Sequence, residues 1–190
     1  MTANEIRQCA LAIFVEKGYD GTSLANIGDA VGIKKQSLYS HFKSKDDIFL
    51  QVMNQVIQEE ISSLNEFFEN SKNEELYSTL YNFISQFEER YLSNKELNVK
   101  FMFKMMFLPP SHLQNITISN FWSYFDRLEE LLQKVFEAHQ NEISVSPEEG
   151  RISFLNLIDG LLVELIYVNV DKYRQRLKVS WNVYWKGITK

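Results

Sequence analysis

Between Lys34 and Lys45 the chain gathers side chains that can read or grip a polyanion: Lys34, Lys35, Gln36, Ser37, Tyr39, Ser40, His41, Lys43 and Lys45. On a helical wheel Gln36, Tyr39, Ser40 and Lys43 share one face, Ser37 lies at its edge, and Leu38 and Phe42 point the opposite way. Gln pairs bidentately with adenine, Ser meets several base edges, and Lys reaches guanine or phosphate. The window from Ala30 to Lys45 carries four lysines and no acid, as a phosphate-facing surface requires. A solvated, lysine-rich helix would have the same composition; the DNA reading is favoured because the outward residues are hydrogen-bonding types rather than lysine alone.

Such a face needs elements to aim it. Leu24, Ile27, Ala30 and Val31 recur at helical spacing, so they are expected on one buried face. Thr22 is expected to cap that helix and Gly32 to end it in the left-handed conformation. A second helix is expected over 34–42, which makes a helix-turn-helix whose second member can lie in a major groove. Ile6, Cys9, Ala10, Ile13 and Phe14 predict a preceding helix over 4–17, with Cys9 a small apolar residue of its stripe. Ser44 and Asp47 form a capping pattern that opens a long helix from Lys45 to about Asn70, and Lys45 with the first amides of that turn can hold a phosphate.

The stretch GYDGTSLANIGDAVGIKKQSLYSHFKSKDDIF resembles the DNA-binding domain of the TetR family of bacterial transcriptional regulators. The resemblance rests on Gly18-Tyr19, Thr22-Ser23, Ile27, Ala30, Gly32-Ile33, Leu38-Tyr39, His41-Phe42, Lys45 and Ile48, and covers about the first 50 residues. The chain departs from the family's habits at Gly28, Val31, Lys34 and Gln36, where Ala, a small residue, Ser and often Gly are common. Thr22 and His41 are further candidate DNA contacts beside the residues of 34–43, His41 as a phosphate donor or a packing residue beside Phe42, and the resemblance implies phosphate contact by Lys45. It also implies a homodimer formed through the last two helices, and a small-molecule inducer that releases the operator.

Charge divides the chain as the resemblance does. Residues 1–48 hold six basic and six acidic side chains, whereas residues 49–190 hold 14 and 19, so the net charge of −5 belongs to the larger part. An acidic body repels a duplex from the wrong face. Only 7 Gly and 3 Pro in 190 residues suit an ordered helical chain. The lone Cys9 excludes an internal disulfide framework and fits the reducing cytoplasm; no signal peptide or membrane-spanning apolar run is present. His41, His112 and His139 show no metal-ligand spacing, and no phosphate-cradling glycine loop or nucleophile elbow occurs. No enzyme, cofactor or metal is therefore expected.

The remaining periodicity predicts an all-α fold of about nine helices, with a three-helix DNA-binding domain at 1–48 and a helical ligand-binding and dimerisation domain at 49–190. Helices are expected from Leu76 to Tyr91, from Glu96 to Leu108 before Pro109-Pro110, from Leu113 or Thr117 to His139, from Ser146-Pro147 to about Val170, and from Asp171 to about Thr189. The Phe- and Met-rich stretch 101–107 reads as core, or as an adaptable apolar pocket for a lipophilic ligand. Phe101, Met105, Trp122 and Phe125 are its candidate lining; Glu164 could pair with a cationic ligand, face solvent or hold a buried hydrogen bond. Leu162 with Tyr173, Leu177, Trp181 and Tyr184 form seams suited to a second helix and are the candidate dimer interface. Gly160 is expected to mark close helix packing. The expected partners are a palindromic double-stranded operator, a lipophilic ligand and a second copy of the chain. The alternative is a DNA-bound regulator that recruits a protein and has no inducer.

Overall fold

The computed structural model describes residues 2–93 and 97–190. Among them are nine α-helices: α1 (Ala3–Lys17), α2 (Leu24–Ala30), α3 (Lys35–Leu38), α4 (Lys45–Asn70), α5 (Leu76–Leu92), α6 (Leu97–Phe107), α7 (Gln114–Ala138), α8 (Pro147–Tyr167) and α9 (Val170–Ile188). A single 3₁₀ turn, Ser111–Leu113, precedes α7, and the described residues hold no strand beyond an isolated bridge between Ile143 and Thr189. The all-α expectation holds. The expected start of the sixth helix at Glu96 lies outside the described residues.

Local chemistry sets most boundaries. Thr2 and Glu5 form a reciprocal capping box at α1, and Ser146 and Glu149 form another at α8, with Pro147 at the first helical position. Asn169 caps α9, accepting from the Lys172 amide at 2.9 Å, so α8 stops at Tyr167 rather than Val170. Gly18 and Gly32 are the residues with positive φ, at 71° and 73°. Each follows the last turn of a helix at a positive φ that residues with a Cβ rarely adopt.

The packing forms two compact units. The first is Met1–Glu60 with Ser93–Tyr124, and the second is Ile61–Leu92 with Phe125–Lys190. The expected functional boundary at residue 48 is cut differently by packing: α6, the 3₁₀ turn and the start of α7 belong to the unit that holds α1 to α3. Ile6, Phe14, Ile27, Leu38, Ile48, Phe49 and Phe101 are fully or almost fully buried there. The Phe14 ring meets Phe49 edge-on at 5.4 Å, and Phe49 meets Phe101 at 5.7 Å. Burying each such ring contributes roughly 1.5–3 kcal/mol. Phe101 and Met105, read as pocket lining, are thus core residues of this unit. Trp122 is 57% exposed. Phe125 lies in the second unit, half-buried. An apolar helix pattern reports that a side chain seeks cover, not whether the cover is a ligand or the chain itself.

In the second unit α8 and α9 form an antiparallel hairpin that also packs on α5. Trp181 is buried among Tyr77, Tyr81, Phe154, Tyr184 and Trp185, at centroid distances of 5.3 to 6.5 Å. Tyr173 is fully buried and its hydroxyl donates to the Ile84 carbonyl at 2.9 Å. The Tyr184 hydroxyl donates to the Gly150 carbonyl at 3.0 Å. Leu162, Tyr173, Leu177 and Trp181 are therefore turned into their own chain, which corrects their assignment to a dimer face; Tyr184 is half-buried against α8. The seam in the sequence is real, but its second helix is intramolecular. The residues left outside are Ile152, Val163 and Tyr167 on α8 and Val179 and Val183 on α9.

One further expectation changes and one is narrowed. Close packing occurs at Gly150, where a Cβ would meet the Phe136 ring at 2.8 Å, whereas Gly160 is open. Glu164 is buried, yet Arg176 of α9 pairs with it at 2.6 Å. A cation is thus supplied by the chain, as a buried carboxylate needs, so of the roles open to Glu164 the buried bond is the one the chain itself fills.

Candidate nucleic-acid interface

The segment aimed outward by the first unit is 34–43. Lys34, Lys35, Gln36, Ser37, Tyr39, Ser40, His41 and Lys43 are all exposed, while Leu38 and Phe42 are buried beneath them. The helix is shorter than 34–42: α3 spans Lys35–Leu38, and tighter turns carry the chain on, with Tyr39, Ser40 and His41 amides donating to the carbonyls three residues back. Lys34 occupies the N-cap without a side-chain cap bond, since an ammonium cannot accept from the first-turn amides. The Ser40 hydroxyl donates to the Ser37 carbonyl at 2.7 Å and keeps its acceptor lone pairs. The His41 ring lies 6.2 Å from Phe42.

The element before it is built differently from the sequence expectation. Ser23, not Thr22, caps α2, in a reciprocal box with Asn26. Thr22 is 2% exposed and its hydroxyl donates to the Gly18 carbonyl at 2.6 Å, so it faces the fold and not a phosphate. Ile27 and Val31 are buried as expected; Ala30 is exposed. At Gly28 a Cβ would come within 2.8 Å of the Ile33 carbonyl oxygen, and the Gly28 carbonyl accepts from the Ile33 amide at 2.9 Å. Glycine at this departure from the family pattern lets the turn close against α2.

Lys45 is spent on the fold. Its Nζ donates to the carbonyls of Tyr19 and Thr22, both at 2.9 Å, and lies 3.9 Å from the centre of the Tyr19 ring. Two of the three ammonium protons hold the 19–22 loop. Beside it, the Tyr19 hydroxyl donates to Asp46 Oδ1, and His112 Nε2 lies 3.2 Å from Asp46 Oδ2. Sequence reasoning missed this group: Tyr19 stands in the family signature, but His112 is 66 residues from Asp46 and carries no local signal.

The bond from Tyr19 holds the Asp46 carboxyl below its ordinary range, with help from His112 and Lys45. The Lys43 amide and the Gln51 side chain do the same for Asp47, whose Oδ2 accepts from that amide at 2.7 Å. A depressed acid stabilises the fold above its unfolded-state value, and that contribution disappears as pH falls through the folded-state value. Thermal unfolding followed from pH 7 downward should therefore show stability held to the ordinary carboxylate range and lost below it. Asp46→Asn and Asp47→Asn should each flatten the acid limb; an unchanged limb in both would remove these bonds from the account.

Among the described residues no cluster of three His, Cys, Asp or Glu side chains could hold a metal, and no helix is long and apolar enough to cross a membrane. The geometry is that of a helix-turn-helix head followed by a helical body. Residues 6–52 match the family of bacterial regulatory proteins, tetR family, so this segment is a domain of that type. It is 42% identical over 85 residues to IcaR of Staphylococcus aureus, the HTH-type negative transcriptional regulator of the biofilm operon icaADBC, covering 44% of this chain and 46% of that protein. The Staphylococcus epidermidis IcaR is 38% identical over 84 residues, covering 44% of this chain and 45% of that one. The match thus spans less than half the length of these relatives. Among solved structures, a TetR-family regulator from Agrobacterium tumefaciens superposes with TM-score 0.73 at 20% identity, covering 99% of this chain and 97% of that one. NalD of Pseudomonas aeruginosa, the secondary repressor of the MexAB-OprM multidrug efflux pump, does so with TM-score 0.71 at 18% identity, covering 100% and 99%. At these identities the structural likeness speaks for the fold.

Proposed function

We propose that this chain is a cytoplasmic DNA-binding repressor that seats residues 34–43 in the major groove of a palindromic operator, as a homodimer, and is released by a small lipophilic ligand. The observation that carries the DNA step is the division of this segment: eight polar or basic side chains outside, Leu38 and Phe42 inside. Gln36 and Ser37 are the base readers, with Lys34, Lys35 and Lys43 on the flanking phosphates. The exposed apolar residues of α8 and α9 support the dimer, which places two heads in grooves about 34 Å apart or a multiple of that. The ligand step rests on the resemblance to the family, since Phe101, Met102, Phe103 and Met105 of α6 are buried in the first unit. IcaR, named as a negative transcriptional regulator, favours repression.

Duplexes selected in vitro by the purified protein test this reading. Gln36→Ala should lower discrimination at one base position by about 1–3 kcal/mol, roughly five- to hundredfold, and leave binding to unrelated duplex almost unchanged. Equal loss on every sequence would remove Gln36 as a reader. For the ligand step, lipophilic compounds should raise the unfolding temperature and release the selected duplex. A second reading keeps the DNA step and replaces the ligand with a protein partner. It is favoured by the exposed Leu108, Ile116, Ile118 and Trp122 of the first unit, and by the burial of Phe101 and Met105 in the core. No thermal shift across the compounds would decide for it.

A further inference from the structure

The chain between α6 and α7 reaches the DNA-binding helices at one polar point. After Pro109 and Pro110 it makes the single 3₁₀ turn Ser111–Leu113, closed by the Leu113 amide donating to the Pro110 carbonyl at 2.9 Å, with Leu113 buried as an anchor. The turn presents His112 to the start of α4. Its Nε2 is 3.2 Å from Asp46 Oδ2 and 3.4 Å from the Tyr19 hydroxyl, and its ring centre is 5.3 Å from the Tyr19 ring. Asp46 Oδ1 already accepts from Tyr19. An ionised carboxylate only accepts, so Nε2 carries the proton and donates to Oδ2. The Tyr19 ring in turn lies under Lys45, which holds the Tyr19 and Thr22 carbonyls, and Ser23 immediately beyond caps α2. Asp20 is the other charged group acting on Tyr19. Behind this group the Lys104 ammonium of α6 donates to the Val15 carbonyl in the last turn of α1.

We propose that His112 is a positioning residue for DNA binding: through Asp46 and Tyr19 it sets the 19–22 loop, and with it the orientation of α2 and the 34–43 face. The side chain is about half exposed, as is Asp46, so the bond adds little to global stability. Its leverage is geometric. Asp46 belongs to α4, Tyr19 to the loop that enters α2, and His112 to neither. Removing the imidazole frees one oxygen of Asp46 and lets the loop choose among the partners that remain.

The inference rests on the reading that residues 34–43 meet DNA, and its test separates the two. With duplex selected by the wild-type protein, His112→Leu should weaken binding roughly tenfold, as the loss of one coupling within a connected network does. The unfolding temperature and the slope of affinity on salt should stay the same. His112→Gln, which keeps an N–H donor, should restore most of the affinity, and adding Asp46→Asn to His112→Leu should cost little more. Amide hydrogen exchange of residues 18–31 in the DNA-free protein should quicken in His112→Leu and not in His112→Gln. Wild-type affinity in His112→Leu overturns the proposal. So does a loss matched by a lower unfolding temperature, or a salt slope reduced by one, the mark of direct phosphate contact. If the wild-type protein selects no duplex, the DNA reading fails by itself, and the exchange rates alone decide whether His112 orders the loop.

Discussion

Replacing both Val179 and Val183 with Glu should convert the protein to a monomer that is folded and nearly unable to hold its operator. The two valines are 59% and 66% exposed and lie one turn apart on α9, so the carboxylates meet solvent in the single chain. Helical content and the unfolding temperature of the isolated chain should stay near wild type. In a symmetric dimer each substitution is made twice, and like charges brought together in a desolvated seam cost several kcal/mol. A lone head makes too few contacts for specific binding. Specific sites are bound at least ~10³-fold more tightly than non-specific duplex, so affinity should fall by roughly that factor. Sedimentation and operator titration read both effects. A variant that remains dimeric would show that the exposed α9 valines are not the interface. Leu162, Tyr173, Leu177 and Trp181 offer no equivalent test, because they are enclosed by their own chain; substituting them would unfold the second unit first.

Phe101→Ala should destabilise the first unit by about 3–5 kcal/mol, the usual cost of emptying a buried aromatic site. For a chain of this length that is a fall of roughly 10 °C or more in unfolding temperature. The ring has no exposure and lies 6.5 Å from Phe14 and 5.7 Å from Phe49, so its removal opens a cavity between α6 and the head helices. The result separates two roles for the Phe/Met-rich helix. Were Phe101 the wall of a ligand site, truncation would leave stability close to wild type and alter ligand response alone. A large loss of stability shows that α6 is welded to the head by its aromatic face, and that a ligand must meet other residues.

Much of the exposed polar face of the candidate interface was legible in the primary structure because its signals are local. The outward set from Lys34 to Lys43 and the inward pair Leu38 and Phe42 follow from helical spacing, and the left-handed Gly32 from the need to end α2. The capping box of Ser146 and Glu149 likewise joins groups three residues apart. Local reasoning erred where two neighbours compete for one role. Thr22 and Ser23 are both good caps; Ser23 took the task because Thr22 is drawn under to the Gly18 carbonyl.

The sequence by itself determined the helical class, nearly every helix and the polar outward face of 34–43, since these depend on periodicity and on hydrogen bonds within a turn or two. Only the tertiary structure decided which apolar stripes are spent inside the chain and which stay outside. It turned Tyr173 and Trp181 inward and left Val179 and Val183 at the surface. It also decided what the charged groups do: Lys45 binds two carbonyls, Glu164 meets Arg176, and His112 meets Asp46. The physical reason is the same in each case. Burial and ion pairing are settled by groups far apart in the chain, and an apolar or charged side chain carries no mark of which distant surface will receive it.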